Sequence, residues 1–181
     1  DNLREVKPHF IPVVPRLLEK IYDKIVDKGS NLKGIKRMLF FWSLNLGKKY
    51  EPYQKNGWWY HFQLNIANKL VFSKWREALG GNIKFLVSGS APLQPALIRI
   101  FTAAQIPIFE GYGMTETCSH IALRKVNTEH HQSHFKPFDD VLIRQNQEQC
   151  IEIKCPFHTE YITTNDLIEL NNNREFKIIF H

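Results

Sequence analysis

Two short apolar runs flank a helix-length segment in the middle of the chain, and this arrangement limits the fold more than any other feature. Ile83, Phe85, Leu86 and Val87 form the first run, interrupted only by Lys84, and Ile106 to Phe109 form the second. Near-continuous apolar runs of this length suit parallel strands covered on both faces. Between them, Pro92 to Ala104 reads as a helix, so the order is strand, crossover helix, strand. Such a unit sends its functional loops from the carboxyl ends of the strands, here Ser88 to Leu93 and Glu110 to Thr117.

Helices dominate the residues before this unit. Pro15 suits a first helical turn, and Leu17, Leu18, Ile21, Tyr22, Ile25 and Val26 then recur at helical spacing until Gly29. The remaining positions carry Glu19, Lys20, Asp23, Lys24, Asp27 and Lys28, a pattern expected of a solvated face. Ile35, Met38, Leu39, Trp42 and Leu46 predict a second helix closing at Gly47, and His61 to Leu79 a third, ending before Gly80 and Gly81. Beyond about His120 the texture changes to short strands: Val141 to Ile143, Cys150 to Lys154, Ile162 to Thr164 and Phe176 to Phe180, with a turn at Asn171 to Asn173. The expected class is α/β, a parallel sheet with flanking helices over residues 1–118, followed by a small, mainly β part over residues 119–181 of the same domain.

Composition excludes several alternatives. With 43% hydrophobic and 23% charged residues, the chain is neither disordered nor fibrous. The 24 Lys+Arg against 18 Asp+Glu give a net charge of +6, which suits an anionic ligand without choosing among nucleic acid, phosphates and acidic membranes. Three cysteines, Cys118, Cys150 and Cys155, lack Cys-x-x-Cys spacing, which points away from a disulfide framework and toward a reducing, cytoplasmic setting. The most apolar stretch, Met38 to Leu46, is too short to span a bilayer, so membrane contact is expected to be peripheral at most. The chain opens at Asp1 without a basic, then apolar, leader, and reads as a fragment. His120, His130, His131 and His134 sit in a polar stretch without helical His-x-x-x-His spacing, which disfavours a metal centre. Trp58, Trp59, Tyr60, Phe62, Phe72 and Trp75 alternate with Lys55, Lys69, Lys74 and Arg76, as single-stranded nucleic acid binders do. Aromatic residues at helical spacing are more often core, and no nucleic-acid module signature accompanies them, so no nucleic-acid partner is expected.

The segment Phe109-Glu110-Gly111-Tyr112-Gly113-Met114-Thr115-Glu116-Thr117 carries the most chemistry. Gly111 and Gly113 permit close backbone approach, Tyr112 supplies an aromatic face, Thr115 a hydroxyl for a phosphate oxygen, and Glu116 a hard oxygen ligand for Mg²⁺. Alone, it is also what an ordinary glycine-rich turn after a strand looks like. The upstream loop Ser88-Gly89-Ser90-Ala91-Pro92-Leu93, again directly after a strand, weighs against that plainer account.

These two loops together resemble the adenylate-forming acyl-CoA synthetases, in which an S-G-x-A-P-L loop and a Y-G-M-T-E loop lie side by side around the adenylate. From Leu3 to Thr117 the resemblance is closest to long-chain fatty acyl-CoA synthetases, including Arg4-Glu5-Val6-Lys7-Pro8, Val14-Pro15-Arg16 and Ala78-Leu79-Gly80-Gly81. Further on, Ser119 to Arg124 and Ile162 to Leu167 look more like o-succinylbenzoate:CoA ligases. The family's ribose-binding aspartate, usually in T-G-D, has its counterpart in Asp166 of Thr164-Asn165-Asp166, where Asn165 replaces the glycine.

The resemblance implies a carboxylic acid substrate, ATP with Mg²⁺, and CoA as co-substrate. It implies that Thr115 and Glu116 act at the phosphates, with Glu116 holding the metal. Tyr112 would cover adenine, Gly89, Ser90, Ala91, Pro92, Gly111 and Gly113 would line the nucleotide pocket, and Asp166 would bind the ribose. The family's lysine-bearing phosphate loop, its arginine-containing hinge and its mobile carboxyl-terminal domain have no counterpart motif in these 181 residues. The resemblance therefore implies the middle of an acyl-CoA ligase, with a truncated, inactive nucleotide-binding or interaction module as the alternative.

Overall fold

The computed structural model of the protein describes residues 2–51, 56–89, 93–117, 119–125 and 134–180. It divides into two units, and the chain leaves the first between Phe109 and Glu110. Unit 1 runs helix α1 (Asn2–Val6), strand β1 (Phe10–Val13) and helices α2 (Pro15–Ser30), α3 (Gly34–Lys48) and α4 (Trp58–Ala67). A π-helical turn (Asn68–Phe72), helix α5 (Ser73–Ala78), strand β2 (Phe85–Ser88), helix α6 (Pro95–Ala103) and the first residues of strand β3 (Ile108–Gly113) follow. Strand β1 pairs in parallel with β2, Phe10 opposite Phe85 and Val13 opposite Ser88. On the other side of β2, the Leu86 amide donates to the Pro107 carbonyl at 2.9 Å as the chain enters β3. Strand β1 is not evident from the sequence because Pro12 lies inside it; at a sheet edge the missing N–H is tolerated.

The predicted helices exist, but two of them bury other residues than their hydropathy suggests. In α2 the charged positions are solvated as expected, whereas Gly29 does not stop the helix: it is buried in the last turn, and the helix ends at Ser30. A Cβ on Gly29 would lie 2.1 Å from Cε1 of Phe40. In α3 Leu46 is buried as expected, but Ile35 and Met38 are exposed, and the other buried residues are Phe40, Ser43, Leu44 and Gly47, spaced i, i+3, i+4 and i+7. A Cβ on Gly47 would come within 2.7 Å of Ile100 in α6. Both glycines are there because a neighbouring helix's side chain occupies the space.

The third predicted helix starts earlier, at Trp58, and is interrupted by the π-helical turn. Buried Asn68 opens that turn, and its Nδ2 donates to the carbonyls of Leu64 and Ala103 at 3.2 and 2.8 Å. Arg76 donates to Asn68 Oδ1 at 2.9 Å and to the Ala104 carbonyl at 2.7 Å. The pair thereby satisfies backbone oxygens at the end of α6 that the helix itself cannot. Arg76 therefore has a structural task, and Phe72 and Trp75 belong to the core, with Trp75 set between the rings of Phe72 and Phe101. Trp58, Trp59 and Phe62 are exposed. Helix α6 begins at Pro95 rather than Pro92, which lies outside the described residues; a proline at the first helical position starts it without losing a bond. Among the described residues no helix is long and apolar enough to cross a membrane.

Unit 2 contains the end of β3, then β4 (His120–Lys125) and β5 (Lys136–Pro137), with β5 antiparallel to β4. A second sheet follows, β6 (Leu142–Gln145), β7 (Cys150–Lys154), β8 (Ile162–Leu170) and β9 (Phe176–Phe180), antiparallel throughout in the order β6-β7-β8-β9. The unit closes on a core that includes Tyr112, Ile121, Phe135, Ile151, Ile153, Ile168 and Phe176, with Phe135 stacked on Phe176 at 5.4 Å. The Asn171 turn is present: Asn171 Oδ1 accepts from the amides of Asn173 and Glu175, both at 2.9 Å. Cys150 and Cys155 are buried, and Cys118 lies outside the described residues. The chain thus forms a mixed α/β fold, a sheet with a parallel pair and an antiparallel sheet after it.

Gly29→Ala is expected to destabilise the chain by ~1–2 kcal/mol, because overpacking against Phe40 outweighs the ~1 kcal/mol gain in helix propensity. Urea denaturation of Gly29→Ala, Phe40→Leu and the double variant measures the coupling. Additive effects would show that the contact is not tight.

Candidate functional site

The segment that the sequence marks as a loop is for half its length a strand. Glu110, Gly111, Tyr112 and Gly113 continue β3, and only Met114 to Ser119 form the connection to β4. The two glycines serve this hairpin. A Cβ on Gly111 would lie 2.1 Å from Cδ2 of His120, and one on Gly113 would lie 2.2 Å from the Ser119 carbonyl oxygen. In unit 2 the close approach they permit is therefore that of β4.

The connection itself is tied by Thr117, which is 2% exposed. Its hydroxyl oxygen accepts the Met114 amide at 3.0 Å, while its proton faces the Met114 and Ser119 carbonyl oxygens at 3.0 and 2.9 Å. With both ends fixed, the intervening Thr115 and Glu116 are exposed at the tip. From β7–β8, His158 donates through Nε2 to the Glu116 carbonyl at 3.0 Å, so the acidic residue's backbone is held while its carboxylate remains in solvent. At the base of the hairpin, Glu110 pairs with Arg124, Nε to Oε2 at 2.7 Å, and the Arg124 guanidinium lies 4.5 Å from the centre of the Phe135 ring. Thr117, His158 and Arg124 carried no sequence signal for these tasks, since each depends on a partner distant in the chain or on turn geometry.

Asp166 lies in β8 and is half-buried. Its Oδ2 accepts the Tyr112 hydroxyl at 2.5 Å, and its amide donates to Thr164 Oγ1 at 3.0 Å. Tyr112 is 6% exposed, with Phe176 edge-on at 5.2 Å and Phe135 tilted at 5.8 Å. The ring expected to cover adenine is thus enclosed by two phenylalanines. Burial first, and then the bond to Asp166 and its charge, push the phenol above the ordinary tyrosine range, so it remains a neutral donor. Asn165 is exposed and is not among the positive-φ residues, so the position does not require the glycine that it replaces.

In unit 1, Ser88 ends β2 and is buried, Gly89 follows it, and Leu93 is buried ahead of α6. Ser90, Ala91 and Pro92 lie outside the described residues, as do His130 and His131. Of the other two histidines, the His120 ring sits on Gly111. Among the described residues no three His, Cys, Asp or Glu side chains converge as a metal cluster. The Glu116 carboxylate alone fits Mg²⁺ in the form in which it accompanies phosphates, held by one or two carboxylates with the rest of its shell from phosphate and water.

Residues 1–147 match the family described as AMP-binding enzyme. Long chain acyl-CoA synthetase 3 of Arabidopsis thaliana is 35% identical over 122 residues, covering 65% of this chain and 17% of that protein. Fatty acyl-CoA synthetase A of Dictyostelium discoideum is 34% identical over 117 residues, covering 64% and 16%. The solved structure of o-succinylbenzoate coenzyme A synthetase (MenE) from Bacillus subtilis, in complex with ATP and magnesium ion, matches with a TM-score of 0.47 at 21% identity, covering 65% of this chain and 30% of that one. The chain spans about one sixth of the length of these two curated relatives. The matched residues take in both Ser88 to Leu93 and Glu110 to Thr117, and the chain belongs to the AMP-binding enzyme family.

Proposed function

We propose that this chain is part of the adenylation domain of an ATP-dependent acyl-CoA ligase that acts on a fatty acid. The observation that carries the proposal is the β3–β4 connection, which fixes its own ends through Thr117 and leaves Thr115 and Glu116 exposed at the tip. The similarity to long-chain acyl-CoA synthetases supports the acid class.

A free carboxylate is a poor acyl donor. In the proposed reaction its oxygen attacks the α-phosphorus of ATP, the bond to the β-phosphate oxygen breaks, and pyrophosphate leaves. The thiol of CoA, losing its proton, then attacks the acyl carbonyl and AMP departs. No protein nucleophile takes part, so the protein's contribution is positioning and charge stabilisation. Thr115 would donate its hydroxyl to an α-phosphate oxygen, and Asp166 would accept the ribose hydroxyls. Glu116 would hold Mg²⁺, which supplies neutralisation of the phosphate charge when bound. Gly89, Ser90, Ala91 and Pro92 are proposed as nucleotide-binding residues from their match to the family's S-G-x-A-P-L loop. A cytoplasmic location is part of the proposal, since the buried Cys150 and Cys155 suit a reducing compartment.

In the longest natural form of the protein, Glu116→Gln is expected to lower acid-dependent pyrophosphate release by ~10²–10³, the usual cost of one preorganised group, without shifting the melting temperature. Unchanged turnover and unchanged Mg²⁺ dependence would remove Glu116 from the site. Thr115→Val is expected to reduce adenylation ~10–100-fold, the range for a hydrogen bond to a charged group. The same assay across fatty and aromatic acids tests the substrate class: release with aromatic acids alone would overturn the fatty-acid assignment.

A further inference from the structure

We infer that Tyr112 is a positioning residue for the ribose: its hydroxyl, donated from the aromatic core of unit 2 to Asp166 Oδ2, fixes the carboxylate that would accept the ribose diol. The inference rests on the assignment of Asp166 to the ribose, and it gives the Tyr112 hydroxyl a task of its own, beside any role of the ring. The bond is 2.5 Å long and joins residues 54 apart in the chain. Tyr112 is itself immobilised by Phe135 and Phe176, so the donor has little freedom to follow a moving acceptor.

The acceptor needs such a brace because of where it lies in β8. Between the pairs Glu152↔Thr163 and Cys150↔Leu167, β7 advances two residues while β8 advances four. Thr164, Asn165 and Asp166 occupy this irregular stretch, where a bulged strand re-aims its side chains and the ladder holds them less firmly. Thr164 contributes to the same arrangement: its oxygen accepts the Asp166 amide at 3.0 Å. A carboxylate has about four lone-pair sites, so a bond from Tyr112 orients it without exhausting its capacity to accept from a diol. Burial and the bond to Asp166 favour the neutral phenol, the form that donates.

The test compares AMP with 2′,3′-dideoxy-AMP by calorimetry on the full 181-residue chain. The wild type is expected to prefer AMP by about 10–100-fold, the range for hydrogen bonds to a charged group. Tyr112→Phe keeps the ring, and should reduce AMP affinity about tenfold while leaving dideoxy-AMP affinity unchanged; Asp166→Asn should erase the preference. A Tyr112→Phe protein with the wild-type preference, or one that loses affinity equally for both ligands, overturns the positioning role while leaving the ribose assignment standing. A wild type without any preference overturns the ribose assignment and this inference together, and one that binds neither nucleotide also removes the proposed function. Wild-type chain carrying 3-fluorotyrosine gives a readout independent of the variants: AMP should shift the Tyr112 fluorine resonance and dideoxy-AMP should not. Equal shifts with both ligands would overturn the inference.

Discussion

The absence of a Cβ at Gly111 and Gly113 is the constraint on which the rest of the candidate site depends. A methyl group at either position would overlap β4, through the His120 ring in one case and the Ser119 carbonyl in the other. Without that approach the β3–β4 connection could not be short, Thr117 could not reach both the Met114 amide and the Ser119 carbonyl, and the exposed tip would lose its fixed ends. The same strand carries Glu110 and Tyr112, whose partners are Arg124 on β4 and Asp166 on β8. Sequence-close residues are therefore placed by contacts from two different strands. A glycine-rich segment of this kind is commonly read as a surface cut away for a ligand; here its immediate beneficiary is the protein's own backbone.

Unit 1 uses the same device between helices. Gly29 faces the Phe40 ring, and Gly47 faces Ile100, so α2, α3 and α6 approach more closely than any side chain would allow. Close approach increases dispersion contacts, each small, over many atom pairs. Asn68 and Arg76 then deal with the polar consequence, since the end of α6 is drawn into the structure and its carbonyls must find donors there. Apolar packing and polar satisfaction are thus parts of one arrangement.

The boundary between what the sequence reveals and what it hides follows from this. Strands β7 and β9 occur at their predicted residues because alternating or continuous apolar runs between turn residues admit few other readings. The parallel-sheet character, the charged face of α2 and the Asn171 turn are legible for the same local reasons. The buried face of α3 is legible at Leu46 but not elsewhere, because two of its other four members are Ser43 and Gly47, which score as neutral, while exposed Ile35 and Met38 score as core. The extension of β3 through Gly-Tyr-Gly is hidden because glycine is a poor strand former until a neighbouring strand requires it. In the site, residue types pointed to Thr115, Glu116 and Asp166. Nothing local could show that the Tyr112 hydroxyl is bonded to Asp166, since that depends on a pairing across the fold.

The two carboxylates assigned to nucleotide chemistry sit in opposite physical settings, and the difference matches the demands of their proposed ligands. Glu116 is at an exposed tip, held through its backbone carbonyl by His158 and with its own side chain in solvent. Such a group can adjust to Mg²⁺, which imposes a near-octahedral geometry of its own and retains water in its shell. Asp166 is half-buried, its carboxylate held by a core tyrosine and its own amide donating to Thr164 Oγ1. A diol presents two donors at fixed separation, so its acceptor gains from being oriented in advance, with less entropy lost on binding. A mobile carboxylate at the ribose would lose that advantage, and a rigid one at the metal would force its geometry on an ion that does not yield. The fold separates the two by placing one on a turn and the other on a braced strand.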